Sequence, residues 1–299
     1  MITVGALWIK RNLPTSKIFF SVKRQRLLSN RITTLSPYKP PRYGGRIMAT
    51  HITEILRYPI KGLNAESLNS TTLAPGAGIP NDRRFAMAPS SSRFDREAPA
   101  WRNKNEFLML MKDERLALLA ATFDDATSTL TIRRDGRQVA QGDVSTPMGR
   151  VLIEQFLAAF MPTGPRGNPK IVTAPETMFT DKETPFISFI NLASVRDIER
   201  VARRPVDPLR FRGNIHLEAV EPWAETKWIG QACQLGRAVL RFAEPIGRCA
   251  ATNVNPDTAE RDMNIPLVLN QGFSHTCTGV YAEVLEGGMI TVNDELILR

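Results

Sequence analysis

The chain is 299 residues with 42% apolar and 23% charged residues, enough for one large domain or two modest ones around a buried core. Fibrous, disordered and disulfide-framework readings fail: Gly and Pro are unremarkable in number, and the three cysteines form no C-x-x-C pair. No run approaches the roughly 20 apolar residues that a membrane-spanning helix needs.

The net charge of +9 is concentrated at one end. Residues 1–47 hold ten Lys or Arg and no Asp or Glu, which leaves 29 basic against 30 acidic residues in 48–299. The body is therefore close to neutral, and a nucleic-acid partner is not expected. The basic leader has two readings, both of which place it outside the fold. One is a transit peptide. The other is translation starting at Met48, with Gly44-Gly45 encoded by a purine-rich ribosome-binding sequence. The expected compartment is reducing: cytoplasmic, or mitochondrial if the leader is a transit peptide.

In chain order, His51 to Leu56 predicts a strand that Tyr58-Pro59 ends, and Ser70 to Leu73 a second one before the turn at Pro75 to Gly78. Phe85 to Ala88 is a third, and Ser90 to Asn105 reads as a surface loop. Thr129 to Arg134 alternates and runs into Asp135-Gly136, the signature of a type I′ hairpin turn. Ser145-Thr146-Pro147 opens a helix carrying Val151, Leu152, Phe156, Leu157 and Phe160. Gly164 to Pro169 reads as a linker, dividing the body into 48–165 and 166–299. A second helix begins near Asn191, with Leu192, Val195, Ile198 and Val201 on one face. Beyond Pro208 the pattern is β-rich: Asn214 to Leu217, Ala238 to Phe242, Ala250 to Val254, Gly279 to Leu285 and Met289 to Val292. The last two are expected to close as a hairpin about Glu286-Gly287-Gly288. The fold class is mainly β with a few helices, α+β, in a closed or partly closed sheet.

Chemistry-bearing residues are few. Cys249 follows Pro245-Ile246-Gly247-Arg248 where a loop enters a predicted strand, and reads either as a core residue or as a reactive thiolate. Cys277 lies two residues after His275, the spacing of a nucleophile with its base, although no group that would orient the histidine is identifiable. Cys233, His51 and His216 read as ordinary structural residues. Lys61, Arg83, Arg84, Arg210 and Arg212 sit at turns or strand ends, where guanidinium forks can meet a phosphate. No Gly-rich nucleotide loop, nucleophile elbow or H-E-x-x-H is present.

Several of these segments together resemble the MOSC family, the proteins related to the C-terminal domain of molybdenum cofactor sulfurase. The segments are Tyr58-Pro59-Ile60-Lys61 with Asn81-Asp82-Arg83-Arg84-Phe85; Phe179-Thr180-Asp181 with Thr184-Pro185-Phe186; Arg210-Phe211-Arg212-Gly213-Asn214; the run from Arg248-Cys249 to Thr258; and Gly279-Val280-Tyr281-Ala282. The resemblance implies a MOSC-type β-barrel over 166–299, preceded by a β-rich MOSC N-terminal domain over 48–165. It also implies a molybdopterin-type molybdenum cofactor and, by likeness to the amidoxime-reducing branch, reduction of small N-hydroxylated substrates. By motif position, Lys61, Arg83 and Arg212 would hold the pterin phosphate, and Thr184 and Asn214 would line its pocket. Cys249 is the implied metal ligand and catalytic thiolate, with Cys277 the second candidate. The sequence departs from that branch where its metal-binding cysteine falls, since Asn270 or Gln271 stands nearest that position. Three cysteines are also too few for a fused two-iron ferredoxin, so electrons are expected from a separate donor protein. A sulfur carrier acting through a cysteine persulfide is the alternative function. Use of pyridoxal phosphate is not expected, because no lysine has a Schiff-base context.

Overall fold

The computed structural model describes residues 49–161, 166–173, 176–218 and 221–299. The basic leader, Met48 and part of the Gly164–Pro169 linker lie outside the described residues. Strand β1 (His51–Arg57) buries Ile52 and Ile55 completely and pairs antiparallel with β2 (Glu66–Leu68). After β3 (Ser70–Leu73) and β4 (Phe85–Pro89) the chain crosses the long loop and builds a meander of β5 (Ala120–Asp124), β6 (Thr129–Arg134) and β7 (Arg137–Asp143). Asp135 and Gly136 both have positive φ, 50° and 74°, as the primed turn between β6 and β7 requires.

Helix α1 (Pro147–Phe160) starts at Thr146, whose hydroxyl accepts from the Gly149 N–H. Its buried face is Ile153, Leu157 and Phe160, whereas Val151 and Leu152 are exposed. Then come β8 (Pro169–Thr173), which pairs with β4, and β9 (Ile187–Asn191), which leads directly into α2 (Leu192–Ala202). α2 starts at Asn191 as the sequence predicts; the Asn191 side chain accepts from the Ala193 N–H, and Val195 and Ile198 are buried on the inner face.

The remaining elements are β10 (Ile215–Glu218), β11 (Ala232–Leu235), β12 (Ala238–Gly247), α3 (Ile265–Phe273), β13 (Cys277–Glu286), β14 (Gly288–Thr291) and β15 (Leu296–Leu298). Eight strands form one sheet in the order β15-β11-β12-β13-β9-β10-β1-β2. Only β9 and β10 run parallel in it. The first strands of the chain thus join the same sheet as the last. The fold is mainly β with three α-helices among the described residues, as expected. None of those helices is long and apolar enough to cross a membrane.

Three expectations need correction. Ala250 to Val254 is not a strand but a 3-10 turn over Ala250–Asn253. Both the Thr252 N–H and its hydroxyl bond the Cys249 carbonyl, at 3.1 and 2.9 Å, and these local bonds replace a ladder. The expected closing hairpin also does not form, because β14 pairs with β3 rather than β13. A Cβ on Gly287 or Gly288 would press on the Leu73 and Arg237 carbonyls, so the two glycines let the chain cross there. Finally, α3 went unforeseen, although Asn264 ahead of Ile265-Pro266 is a start signal and its side chain caps the Leu267 N–H.

Candidate functional site

Four basic residues from four separate turns converge on one cavity. Lys61 sits on the turn after β1, where its backbone N–H is held by the Phe85 carbonyl at 2.8 Å. Arg83 lies just before β4 with φ 45°, its N–H donating to the Tyr58 carbonyl at 2.7 Å. Arg212 ends the 3-10 turn Pro208–Phe211 with φ 51°, and Arg248 follows β12 with its N–H on the Thr276 carbonyl. A left-handed backbone at non-glycine residues is unusual, and two such arginines facing one space mark a site at which strain is held by its surroundings. The cavity is also lined by Arg210, Asp181, Ser188, Asn214, Cys249 and Tyr281.

The electrostatics are lopsided. Arg210 is matched by Asp262 at 2.7 Å, and Arg83 by its buried neighbour Asp82. The Lys61 ammonium donates to the Phe179 carbonyl at 2.8 Å and to Asp181 at 2.9 Å, and Lys104 reaches the other oxygen of Asp181 at 2.9 Å. Burial pulls Lys61 below its ordinary value despite that carboxylate. Burial pushes the Asp181 carboxyl up, but Lys61 and Lys104 outweigh it and hold the group well below the usual carboxylate range. Burial lowers both Arg212 and Arg248 to about 10, which leaves each charged at neutral pH.

Arg248 donates only to carbonyls, those of Thr278 and Phe211, so its charge has no carboxylate partner there. The Arg212 guanidinium has no hydrogen-bond acceptor among the described residues and contacts the Tyr58 ring instead. Five cationic side chains line it, three of them paired with Asp82, Asp181 and Asp262, which leaves the charges of Arg212 and Arg248 uncompensated and the Arg212 donors unused, a receptor for an anion. At its edge lies the half-buried Cys249, whose sulfur is 4.0 Å from the Lys104 ammonium. The donor set fits a phosphate-bearing cofactor with a thiol beside it. No cluster of three or more His, Cys, Asp or Glu suited to a metal ion occurs among the described residues.

Of the residues singled out from sequence, Lys61, Arg83, Arg212, Asn214 and Cys249 meet in this cavity. Asn214 is fully engaged within the protein: its amide bonds the Leu56 carbonyl, and its oxygen accepts from the Ser188 hydroxyl at 2.7 Å. It fixes the wall where β1, β9 and β10 meet. Thr184 is exposed and is not among the lining residues. Cys277 begins β13 outside the lining, its N–H bonded to His275 Nδ1 at 3.3 Å. Asn270 and Gln271 lie on α3. Cys233 is fully buried, and burial pushes its thiol up to about 12. Lys104, Asp181, Arg248 and Tyr281 carried no site assignment from sequence. The basic end of the Ser90–Asn105 loop was the one available signal for Lys104.

Residues 178–297 match the family model of the MOSC domain. Among solved structures, YiiM from Geobacillus stearothermophilus is 19% identical over 38% of this chain and 53% of its own, with a TM-score of 0.31. YiiM from Escherichia coli is 18% identical over 38% of this chain and 53% of its own, at 0.27. The YUAD protein from Bacillus subtilis is 12% identical over 84% of this chain and 96% of its own, at 0.40. The chain therefore spans about half the length of the two YiiM structures it matches. No curated protein matches the sequence.

Proposed function

With residues 178–297 a MOSC domain, we propose that the protein binds a molybdenum cofactor and reduces small N-hydroxylated compounds with electrons from a separate donor protein. The observation that carries this reading is the cationic cavity, with Arg212 unpartnered and Cys249 at its edge. Lys61, Arg83 and Arg212 would hold the cofactor's phosphate, and Arg248 would add a fourth positive charge. Cys249 would supply the thiolate to the metal. When bound, the cofactor supplies the redox centre.

The reaction class is conversion of an N–OH group to N–H and water, consuming two electrons and two protons as the N–O bond breaks. The chain's own contribution is placement and electrostatics. Arg83 and Arg212 are fixed by their backbone turns, so their donors are oriented before any anion arrives. Lys104, tied to Asp181, holds a positive charge 4.0 Å from the Cys249 sulfur. The Phe186 ring stacks on Tyr281 with centroids 5.5 Å apart and closes one side of the space against water.

The test is elemental analysis of the full chain purified from a host that makes the cofactor. Near-stoichiometric molybdenum is expected in the wild type and in Cys249→Ser, with reductase activity lost in Cys249→Ser. An Arg212→Gln variant is expected to lose most of its metal. Metal-free wild-type protein would sink the reading. A persulfide on Cys249 after incubation with a cysteine desulfurase would favour sulfur transfer in its place, and a Cys277→Ser variant that alone loses activity would move the ligand to Cys277.

A further inference from the structure

A second, smaller cavity adjoins the first across Cys249 and Asp181. It shares Lys61, Arg212, Asp181 and Cys249 with the anion cavity and adds Lys104, Met109, Leu110 and Met111. The three apolar residues form a fixed wall. Leu108 is tied to the Met87 carbonyl on β4 at 2.8 Å, and the Met109 N–H donates to Asp113 at 3.1 Å. Arg261, from the C-terminal half, holds the Leu110 and Met111 carbonyls at 3.2 and 2.9 Å. The wall is thus anchored from three directions before any ligand arrives.

We propose that this compartment is the substrate subsite and that it selects neutral, apolar-bodied N-hydroxy compounds over charged ones. The inference rests on the proposed function for its reaction but on the wall and charge balance for its selectivity. Once an anion occupies Lys61 and Arg212 and Cys249 is taken up by the metal, the charges left facing the second compartment are Lys104 and Asp181, which are paired at 2.9 Å. A charged substrate would then be desolvated against Met109, Leu110 and Met111 with no counter-ion to replace its water. The two methionines add conformational latitude, because an unbranched, polarisable thioether fits both aromatic and aliphatic bodies. Small size and neutrality, rather than one ring shape, set the preference.

The test is calorimetric binding of three probes to the full chain loaded with molybdenum: a neutral aryl amidoxime, and its para-carboxylate and para-trimethylammonium analogues. The neutral probe is expected to bind roughly tenfold more tightly than either charged one. Met111 is half-buried, so a charge can be placed there with the fold kept. Met111→Glu should weaken the neutral probe roughly tenfold and raise the cationic one above it, and Met111→Lys should favour the anionic one. Met148→Glu, on the exposed face of α1, controls for net charge and should change none of the three. Equal binding of all three probes, no binding of any, or indifference to both Met111 variants at unchanged molybdenum content overturns the subsite. If the probes bind in the expected order and the neutral one is not reduced by a chemical electron donor, the subsite stands and the reductase reading falls.

Discussion

The Arg212 guanidinium lies 4.3 Å from the centroid of the Tyr58 ring, and the Arg83 guanidinium lies 4.2 Å from the same centroid. Arg83 also donates to the Arg212 carbonyl at 2.7 Å, so the two like charges are locked around one aromatic ring. Each desolvated cation–π contact is worth about 1–2 kcal/mol, which offsets part of the repulsion until an anion enters. The ring is therefore the part of Tyr58 that matters. Its hydroxyl is buried without a hydrogen-bond partner among the described residues. Tyr58→Phe should hold or slightly raise stability to denaturant, whereas Tyr58→Leu should lose about 2–3 kcal/mol and also weaken phosphate binding. If Tyr58→Phe proves as damaging as Tyr58→Leu, the hydroxyl rather than the ring organises the pair.

Asp181 links the two lysines of the site, and the sign of its pH effect follows from its depressed folded-state value. Such a group contributes stability that is complete above the unfolded carboxyl value near 4 and is lost as pH falls through the lower folded one. Because Asp181 is half-exposed, solvent screening keeps the contribution small. Removing it nevertheless leaves the buried Lys61 without its carboxylate. Asp181→Asn should cost about 1–2 kcal/mol at pH 7 in urea denaturation, and the gap to wild type should begin to narrow only below about pH 4 and keep narrowing toward pH 2. A gap that stays constant across that range would assign the loss to packing and not to charge.

The sequence made visible what depends on near neighbours. Alternation placed β6, the turn residues that follow β1 and β3 bounded those strands, and the Asp135-Gly136 and Asn191 signals placed a turn and a helix start, because each acts within a few residues. Lys61, Arg83 and Arg212 were legible through the turns that carry them and the motifs around them. What escaped depends on distant partners. Ala250 to Val254 looks β-like, but Thr252 folds back on Cys249, and β14 leaves its neighbour for a strand more than 200 residues earlier. Lys104 gave only the look of a surface loop, since its role depends on Asp181 and Cys249 arriving from the other half of the chain.

The three cysteines should separate by reactivity. Cys233 is fully buried in the sheet between β12 and β15, and its thiol is pushed up to about 12 by burial, so it carries almost no thiolate at pH 8. Cys249 and Cys277 are half-buried and reachable. Iodoacetamide on the native protein should add two groups by mass spectrometry, with peptide mapping to Cys249 and Cys277, and three once the chain is unfolded. Native modification of Cys233 at a comparable rate would show that the sheet edge opens far more readily than its packing implies.

Gly279 joins the sheet to the site, and its substitution should be much worse than that of another glycine with similar backbone. Its φ is +77°, and an added Cβ would strike the Phe189 carbonyl and crowd the Ile190 side chain and the Arg248 guanidinium. Gly76, at φ +66°, has open space where a Cβ would go. Gly76→Ala should therefore cost only the left-handed conformation, about 1 kcal/mol, while Gly279→Ala adds a backbone clash and should cost about 3 kcal/mol or more. The clash is also placed to shift Arg248, whose donors rest on the neighbouring Thr278 carbonyl, so phosphate binding should fall in Gly279→Ala and not in Gly76→Ala. Equal stabilities for the two variants would mean that β9 can move away from β13 at this point, and the rigidity assumed for the Arg248 side of the cavity would then be wrong.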